Sequence, residues 1–463
     1  MHRLSLCVIA KDEALMLPGL LNSVRGVVDE IVVVDTGSCD ETPDIAKEAG
    51  ARVVSHPWQN DFSDARNRAL REATGDWILI LDCDERLAPG AGEVLREAIA
   101  SHDFDLGMLP LYNASRLDAT AEEILSGAAC LGAPTLLPRL MRRDPTLRWE
   151  GRVHESVTEW LAEGDKRVLE VSASILHLGN VSEVVASKDK LNHYQRLLRL
   201  RCQEEPENPV MWSHLARVCV RSGLLDEAWD AARCAWSAQQ KQFAAGKTWY
   251  SVSPTITVFC FLALHRGHTL LSLRALKEAE TWNVRHPNVE LLRGVSHETL
   301  ALECEGEKRS AHLQQAQLSF EKAIEMGDTT WTEDCMPGAT DWAAYTRLGT
   351  VLLLQDQWQE ASKAFVSACD SKPGHVEAVL GRAESLLGLN RAPEALSLLE
   401  SLLETGGADT WILSGFACRN MGQIDDCRLF LEQAERLIDG GLVAPHRRQY
   451  LALLNADLAS LAV

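Results

Sequence analysis

Apolar and polar positions follow two different rhythms along the chain. Over the first part, short β-branched runs alternate with segments of helical spacing, a pattern that predicts strands joined by crossover helices in a mostly parallel sheet. Leu4 to Ala10 reads as a strand and Ala14 to Val24 as a helix. Ile31 to Val34 is a second strand ending at Asp35, Pro43 to Ala49 a helix, and Arg52-Val53-Val54 a third strand. Asp64 to Ala73 has helical spacing, with Ser63 placed to cap its start and Gly75 placed to close it. Trp77-Ile78-Leu79-Ile80-Leu81 is an unbroken apolar run, which suits a central strand covered on both faces, and it stops at Asp82.

From about Lys190 the strand runs vanish and helix formers dominate, so we divide the chain into an α/β domain over 1–190 and a helical domain over 191–463. The second contains an internal repeat. Tyr345, Leu348-Gly349, Trp358, Ala361, Ala364-Phe365 and Ala368 form one unit, and Ala395 stands 34 residues beyond Ala361. An earlier copy carries Trp212, Leu215-Ala216, Gly223 and Ala228, and a degenerate last copy carries Gly415, Gly422 and Ala434. These residues resemble the tetratricopeptide repeat, whose small side chains let antiparallel helices approach and whose stacked pairs form a concave docking groove. The stretch from about Gln239 to Thr340 is less regular, with helical periodicity over Leu291 to Glu303 and Leu313 to Met326, and we assign it to atypical repeats.

Length and composition change this picture in few places. At 463 residues the chain suits two or three domains, and 46% apolar with 24% charged residues is an ordinary globular balance. A formal net charge of −20 repels phosphate backbones, which argues against nucleic acid as a partner. A nucleotide diphosphate on so acidic a protein calls for a local remedy, and a divalent cation is one. Thirteen cysteines include no C-x-x-C pair, which points to a reducing, cytoplasmic setting rather than a disulfide framework. The run Leu4 to Ala10 is too brief for a signal peptide, and no stretch reaches the roughly 18 apolar residues of a spanning helix, so a soluble protein is expected.

The sharpest chemical signal is Asp82-Cys83-Asp84. Two carboxylates at i and i+2 directly after a buried strand leave the sheet together and can reach one hard cation. Ligands of open α/β sheets sit beyond the carboxyl ends of the strands, where Asp35 and Asp82 both fall. The bland alternative for each is a solvated or Asx turn ending a strand. A second constellation is basic: Pro138-Arg139-Leu140-Met141-Arg142-Arg143, then Trp149-Glu150-Gly151-Arg152-Val153-His154-Glu155, with Ile175-Leu176-His177-Leu178-Gly179 downstream. Arg139, Arg142 and Arg152 could steady a diphosphate or line a solvated strand edge. Trp149 beside Arg148 reads as core or cation–π packing.

The order Lys11-Asp12-Glu13, Asp35-Thr36-Gly37-Ser38, Asp40-Glu41-Thr42, Ala65-Arg66-Asn67, Gly75-Asp76 and Asp82-Cys83-Asp84 resembles a family 2 glycosyltransferase of GT-A fold, closely over the first 90 residues and more loosely to about 200. The distal basic segment is similar to a subgroup that includes the sublancin-type peptide S-glycosyltransferases. The resemblance implies a UDP-sugar donor. It places Ala10 near the base, Asp35 as acceptor of a hydrogen bond from the base, Arg66 at the base or phosphates, Asp82 at the ribose or a metal-bound water, and Asp84 on Mn²⁺ or Mg²⁺. His177 is the candidate third metal ligand, beside Asp84 and Asp82. Glu155 is the candidate general base, with His154 or Asp61 as alternatives in which Glu155 merely anchors an arginine.

The expected activity is therefore metal-dependent, inverting glycosyl transfer to a peptide, protein or glycan, with the repeats docking the acceptor or joining copies of the chain. A nucleotidyltransferase would need a Gly-rich basic loop where Lys11-Asp12-Glu13-Ala14 stands. A non-catalytic repeat scaffold with a nucleotide-sugar-binding domain is the remaining alternative.

Overall fold

The computed structural model describes residues 2–132, 134–179, 181, 190–246, 252–327, 336–403, 407–438 and 443–460. The boundary expected at 190/191 abuts 182–189, which lie outside the described residues. Contacts gather the chain into two units, Met1–Gly223 and Leu224–Val463. Two helices that the sequence pattern assigns to the repeats, α7 (Lys190–Glu204) and α8 (Pro209–Arg221), thus belong with the first unit.

The first unit is built on one mixed sheet. Strands β1 (Leu4–Ala10), β2 (Glu30–Asp35), β3 (Arg52–Ser55) and β4 (Trp77–Ile80) lie parallel in the order β3-β2-β1-β4. Beyond β4 the sheet continues through β7 (Thr135–Arg142), β6 (Leu106–Asn113), β9 (Ile175–His177) and β5 (Glu85–Leu87), with β8 (Val168–Glu170) beside β6. The β4–β7, β6–β7 and β5–β9 pairs are antiparallel, while β6 runs parallel to β8 and β9, so the sheet is wholly parallel only over its N-terminal strands.

Side-chain alternation along β1 explains the layering. Leu4, Leu6 and Val8 pack on one face against Leu17 and Leu20 of α1 (Leu17–Ser23) and Leu95 and Ile99 of α4 (Ala91–Ser101). Cys7 points to the other face, with Val32, Val34, Ile78, Ile80, Ala69, Trp149 and Trp160. Helix α2 is Thr42–Glu48 and α3 is Phe62–Glu72. The cap of α3 is Asp61, whose carboxylate accepts the Asp64 N–H at 3.2 Å, rather than Ser63.

The second unit is helical throughout its described residues. Among the described residues, the region expected to be irregular holds the end of a helix Leu225–Ala244 and then Ser253–His265, Thr269–Thr281, Pro287–Glu303 and Gly306–Met326. Regular pairs follow: Trp342–Leu353 with Trp358–Ser371, Val376–Gly388 with Ala392–Glu400, and Gly407–Asn420 with Ile424–Ile438. Ala361 and Ala395 take equivalent, fully buried places on the second helix of successive pairs. Gly349 and Gly381 flank the Phe365 ring so closely that a Cβ at either would fall 2.7 or 2.2 Å from it. No helix among the described residues is long and apolar enough to cross a membrane.

Candidate active site

Strands β1, β2 and β4 all end at one edge of the sheet, in register: Ala10 lies opposite Asp35, and Cys7 opposite Ile80. The loops leaving β1 and β2 brace each other there. The Asp12 N–H donates to Ser38 Oγ at 2.9 Å, the Cys39 N–H to Asp12 at 2.7 Å, the Glu13 N–H to Thr42 Oγ1 at 2.7 Å and the Ala14 N–H to Asp40 at 3.0 Å. The Lys-Asp-Glu and Asp-Thr-Gly-Ser segments are thus two halves of one turn structure.

Beside this edge opens a cleft of about 880 Å³. It gathers Ala10, Arg66, Asp82, Asp84, Arg139, Glu155 and His177, seven of the eight residues selected from sequence. The eighth, Asp35, ends β2 and does not line the cleft; its carboxylate accepts the Ser38 N–H at 3.2 Å, the Asx arrangement of a strand end.

Five charged groups form one row of alternating sign. Glu155 Oε1 accepts from Arg66 Nε at 2.5 Å, Arg66 Nη2 donates to Asp82 Oδ1 at 2.9 Å, and Arg139 Nη2 donates to Asp82 Oδ2 at 3.1 Å and also to Glu85. Arg139 precedes Leu140, which pairs with Leu79, so β7 delivers it to the place where Asp82 leaves β4. Burial works to raise the Asp82 pKa, but Arg66 and Arg139 outweigh it and hold the carboxyl well below the usual range. Glu85 is 2% exposed; burial pushes it up to about 7 against the pull of Arg139, with Asp82 adding to the rise. Sequence reading missed Glu85, although it follows the Asp-Cys-Asp segment directly and opens a strand with alternating burial.

In this row both Asp82 oxygens accept from guanidinium groups, which sets Asp82 apart from the other two expected metal ligands, Asp84 and His177. Among the described residues no three such side chains form one metal-binding group. Asp84 and His177 do face each other, Oδ1 to Nε2 at 3.7 Å. Strand pairing explains why: His177 on β9 lies opposite Glu85 on β5, and Asp84 immediately precedes that strand. On its other side His177 lies opposite Asn113, whose Oδ1 takes Nδ1 at 2.8 Å and leaves Nε2 aimed at Asp84. This outer partner is the kind that orients metal-ligating imidazoles. A Cβ at Gly179 would sit 2.1 Å from Asp84 Oδ2 and 2.7 Å from His177 Nε2, so the space beside the pair depends on glycine. Burial lowers the His177 pKa, but Asp84 and then Glu85 and Asp82 outweigh it and raise it.

The alternatives for a base resolve differently. Asp61 caps α3 and does not line the cleft. His154 lines it, stacks on His214 with ring centroids 3.6 Å apart and meets the Tyr194 hydroxyl. Glu155 both lines the cleft and anchors Arg66. Trp149 packs as expected, with the Arg66 guanidinium 5.3 Å above its ring, and Asn67 brackets its backbone through bonds of 2.8 and 2.9 Å. Arg142 turns to Asp103 and Phe104 O, and Arg152 to Glu204 and Asn60 O, outside the cleft. Trp58, Phe62, His193 and Tyr194 give the cleft an aromatic side that the sequence did not announce.

Residues 5–122 match the family model for glycosyl transferase family 2. The chain carries a family 2 glycosyltransferase domain. Residues 346–409 match the tetratricopeptide repeat model, so this glycosyltransferase domain is followed by repeats of that class. A TPR repeat-containing protein of Synechococcus elongatus is 34% identical over 234 residues, 49% of this chain and 55% of that protein. An uncharacterized glycosyltransferase of Rickettsia felis is 36% identical over 105 residues, 23% of this chain and 37% of that one. The SPbeta prophage-derived glycosyltransferase SunS of Bacillus subtilis is 28% identical over 209 residues, 44% of this chain and 46% of SunS. The chain thus spans about half the length of the first of these relatives, and less of the others.

Proposed function

We propose that the chain transfers a sugar, with inversion, from a nucleotide diphosphate sugar, most simply a UDP-sugar, to an acceptor hydroxyl or thiol on a peptide, protein or glycan. The supporting observation is the Asp84–His177 pair, with its Asn113 brace and glycine-kept space, opening into the same cleft as the Arg66–Asp82–Arg139 row. Asp84 and His177 would hold Mn²⁺ or Mg²⁺, a mixed O/N set that suits the former. The bound cation would offset charge on the departing diphosphate as a Lewis acid.

The chain's own residues do the rest. Ala10, which lines the cleft at the end of β1, marks the nucleobase end, and Asp35 opposite it at the end of β2 would meet the base from outside the cleft lining. Arg66 and Arg139, each already set against carboxylates, present fixed guanidinium groups to the donor without reorganising. Asp82 serves the ribose side. Glu155 takes the acceptor proton as general base. Trp58, Phe62 and Tyr194 keep water from competing with the acceptor. The repeats offer a docking surface for the acceptor or for a partner polypeptide.

A screen of nucleotide sugars by thermal shift with Mn²⁺, followed by hydrolysis assays, tests this reading. We expect Mn²⁺-dependent turnover of a UDP-sugar and its loss by about 100-fold or more in Asp84→Ala, with the melting temperature little changed. Absence of metal-dependent turnover with every donor would leave a non-catalytic scaffold.

A further inference from the structure

Glu155 sits at the end of a loop whose backbone is unusual. The loop is closed at its base by a bridge between Glu150 and Ser156, with N–H to O distances of 2.9 and 3.0 Å. Within it Gly151 has φ +100° and His154 φ +52°, the left-handed region that non-glycine residues adopt infrequently. The loop's surroundings are supplied by α7. Arg201, 7% exposed, reaches out from that helix and donates through Nη1 to the carbonyl of Val153 and, at 3.0 Å, to that of His154, while its Nε is fixed by Glu205 at 3.0 Å. The guanidinium lies across Gly151, where a Cβ would fall 2.2 Å from Arg201 Cζ. Three residues along the helix from Arg201, Glu204 accepts Arg152 Nε at 2.8 Å, and near the start of the helix the Tyr194 hydroxyl meets His154 Nε2.

We propose that Arg201 is a positioning residue for Glu155, so that a helix resembling the opening of the repeats is a working part of the transfer site. This rests on the reading of Glu155 as the base. The peptide whose carbonyl Arg201 holds is the one that leads into Glu155, so releasing it moves the carboxylate relative to Arg66 and the acceptor. Displacements of about 1 Å at a reacting group cost up to about 100-fold in rate.

The test uses the full chain and the UDP-sugar that the screen above finds to turn over fastest, hydrolysed with Mn²⁺. We expect Arg201→Gln to lower kcat about 10- to 100-fold with KM for donor within about twofold, to speed amide exchange in 150–156 selectively, and to be partly rescued by Arg201→Lys. The double variant Arg201→Gln/Glu155→Gln should be no slower than Glu155→Gln alone, because the arginine acts through the glutamate. Glu205→Gln, which loosens the guanidinium through its Nε without removing its charge, should give the same signature in weaker form and serves if Arg201→Gln fails to fold. Unchanged kcat in the folded variants, or losses that multiply in the double variant, would overturn the positioning role while leaving Glu155 in place. A Glu155→Gln variant as active as the parent would overturn both readings.

Discussion

Asp82 and Asp84 reach the cleft on one stretch of backbone leaving β4, whereas Glu155 reaches the same arginine from a loop much later in the chain. The first pair is aimed by a sheet: strand pairing sets Asp84 beside His177 and Arg139 beside Asp82. The second is aimed by side chains, with Arg201, Glu204 and Tyr194 gripping a loop that has no sheet to lean on. Placement by backbone hydrogen bonds is cooperative and tolerant of single changes, while placement by a few side chains depends on the elements that carry them.

The largest way to break this contrast is truncation. A chain cut after Lys190 keeps every strand but loses α7 and α8, with buried Leu197, Leu198, Met211 and Leu215. We expect it to lack cooperative melting by circular dichroism, whereas a chain cut after Gly223 melts as one unit. Cooperative melting of the shorter chain would mean that the sheet half stands without its helical wall.

Next in size is Arg139→Ala. It leaves Glu85, 2% exposed, without its cation, and breaking such a buried pair costs about 3–5 kcal/mol. Urea unfolding should read this loss, and adding Glu85→Gln should recover much of it. A loss no larger than that of an exposed arginine would show the row to be ornamental for stability.

The smallest effect is acid sensitivity in the loop-and-helix half. Burial, with Arg201 and Arg217, holds His154 down to about 4, and burial, with His154, Arg217, Arg201 and Arg221, holds His214 down to about 2. Both lie below the ordinary value of 6.5. Above that pH neither state is protonated and nothing is gained; as pH falls below it, the unfolded chain binds protons that the folded chain refuses, so stability is lost. His154 is exposed, so solvent screens its share and the effect falls mainly to half-buried His214, roughly 1–2 kcal/mol by pH 5. His214→Phe should flatten that part of the urea-derived stability profile, and an unchanged slope would remove the histidine stack from the account.

The same contrast explains what the sequence disclosed. Asp82 and Asp84 were visible because they end an uninterrupted apolar run, and strands β1 to β4 because β-branched residues cluster at strand length. Glu85, after Asp82 and Asp84, reads from sequence as more solvent-facing charge; only the pairing of β5 with β9 turns it inward. The convergence of Arg66 and Arg139 on Asp82 is not legible locally, because both arrive from other elements. Helices α7 and α8 share the helix-former composition of the repeats, and which neighbour a helix packs on is not written in its own periodicity.

Gly179 gives the cleft an unusual dependence on something lacking. The gap between carboxylate and imidazole is kept by a single hydrogen where any other amino acid would put carbon. One methyl there would collide with the Asp84 carboxylate and the His177 ring and drive them from their present places, so this corner of the molecule could be retired by a substitution that alters neither acid nor imidazole in the sequence.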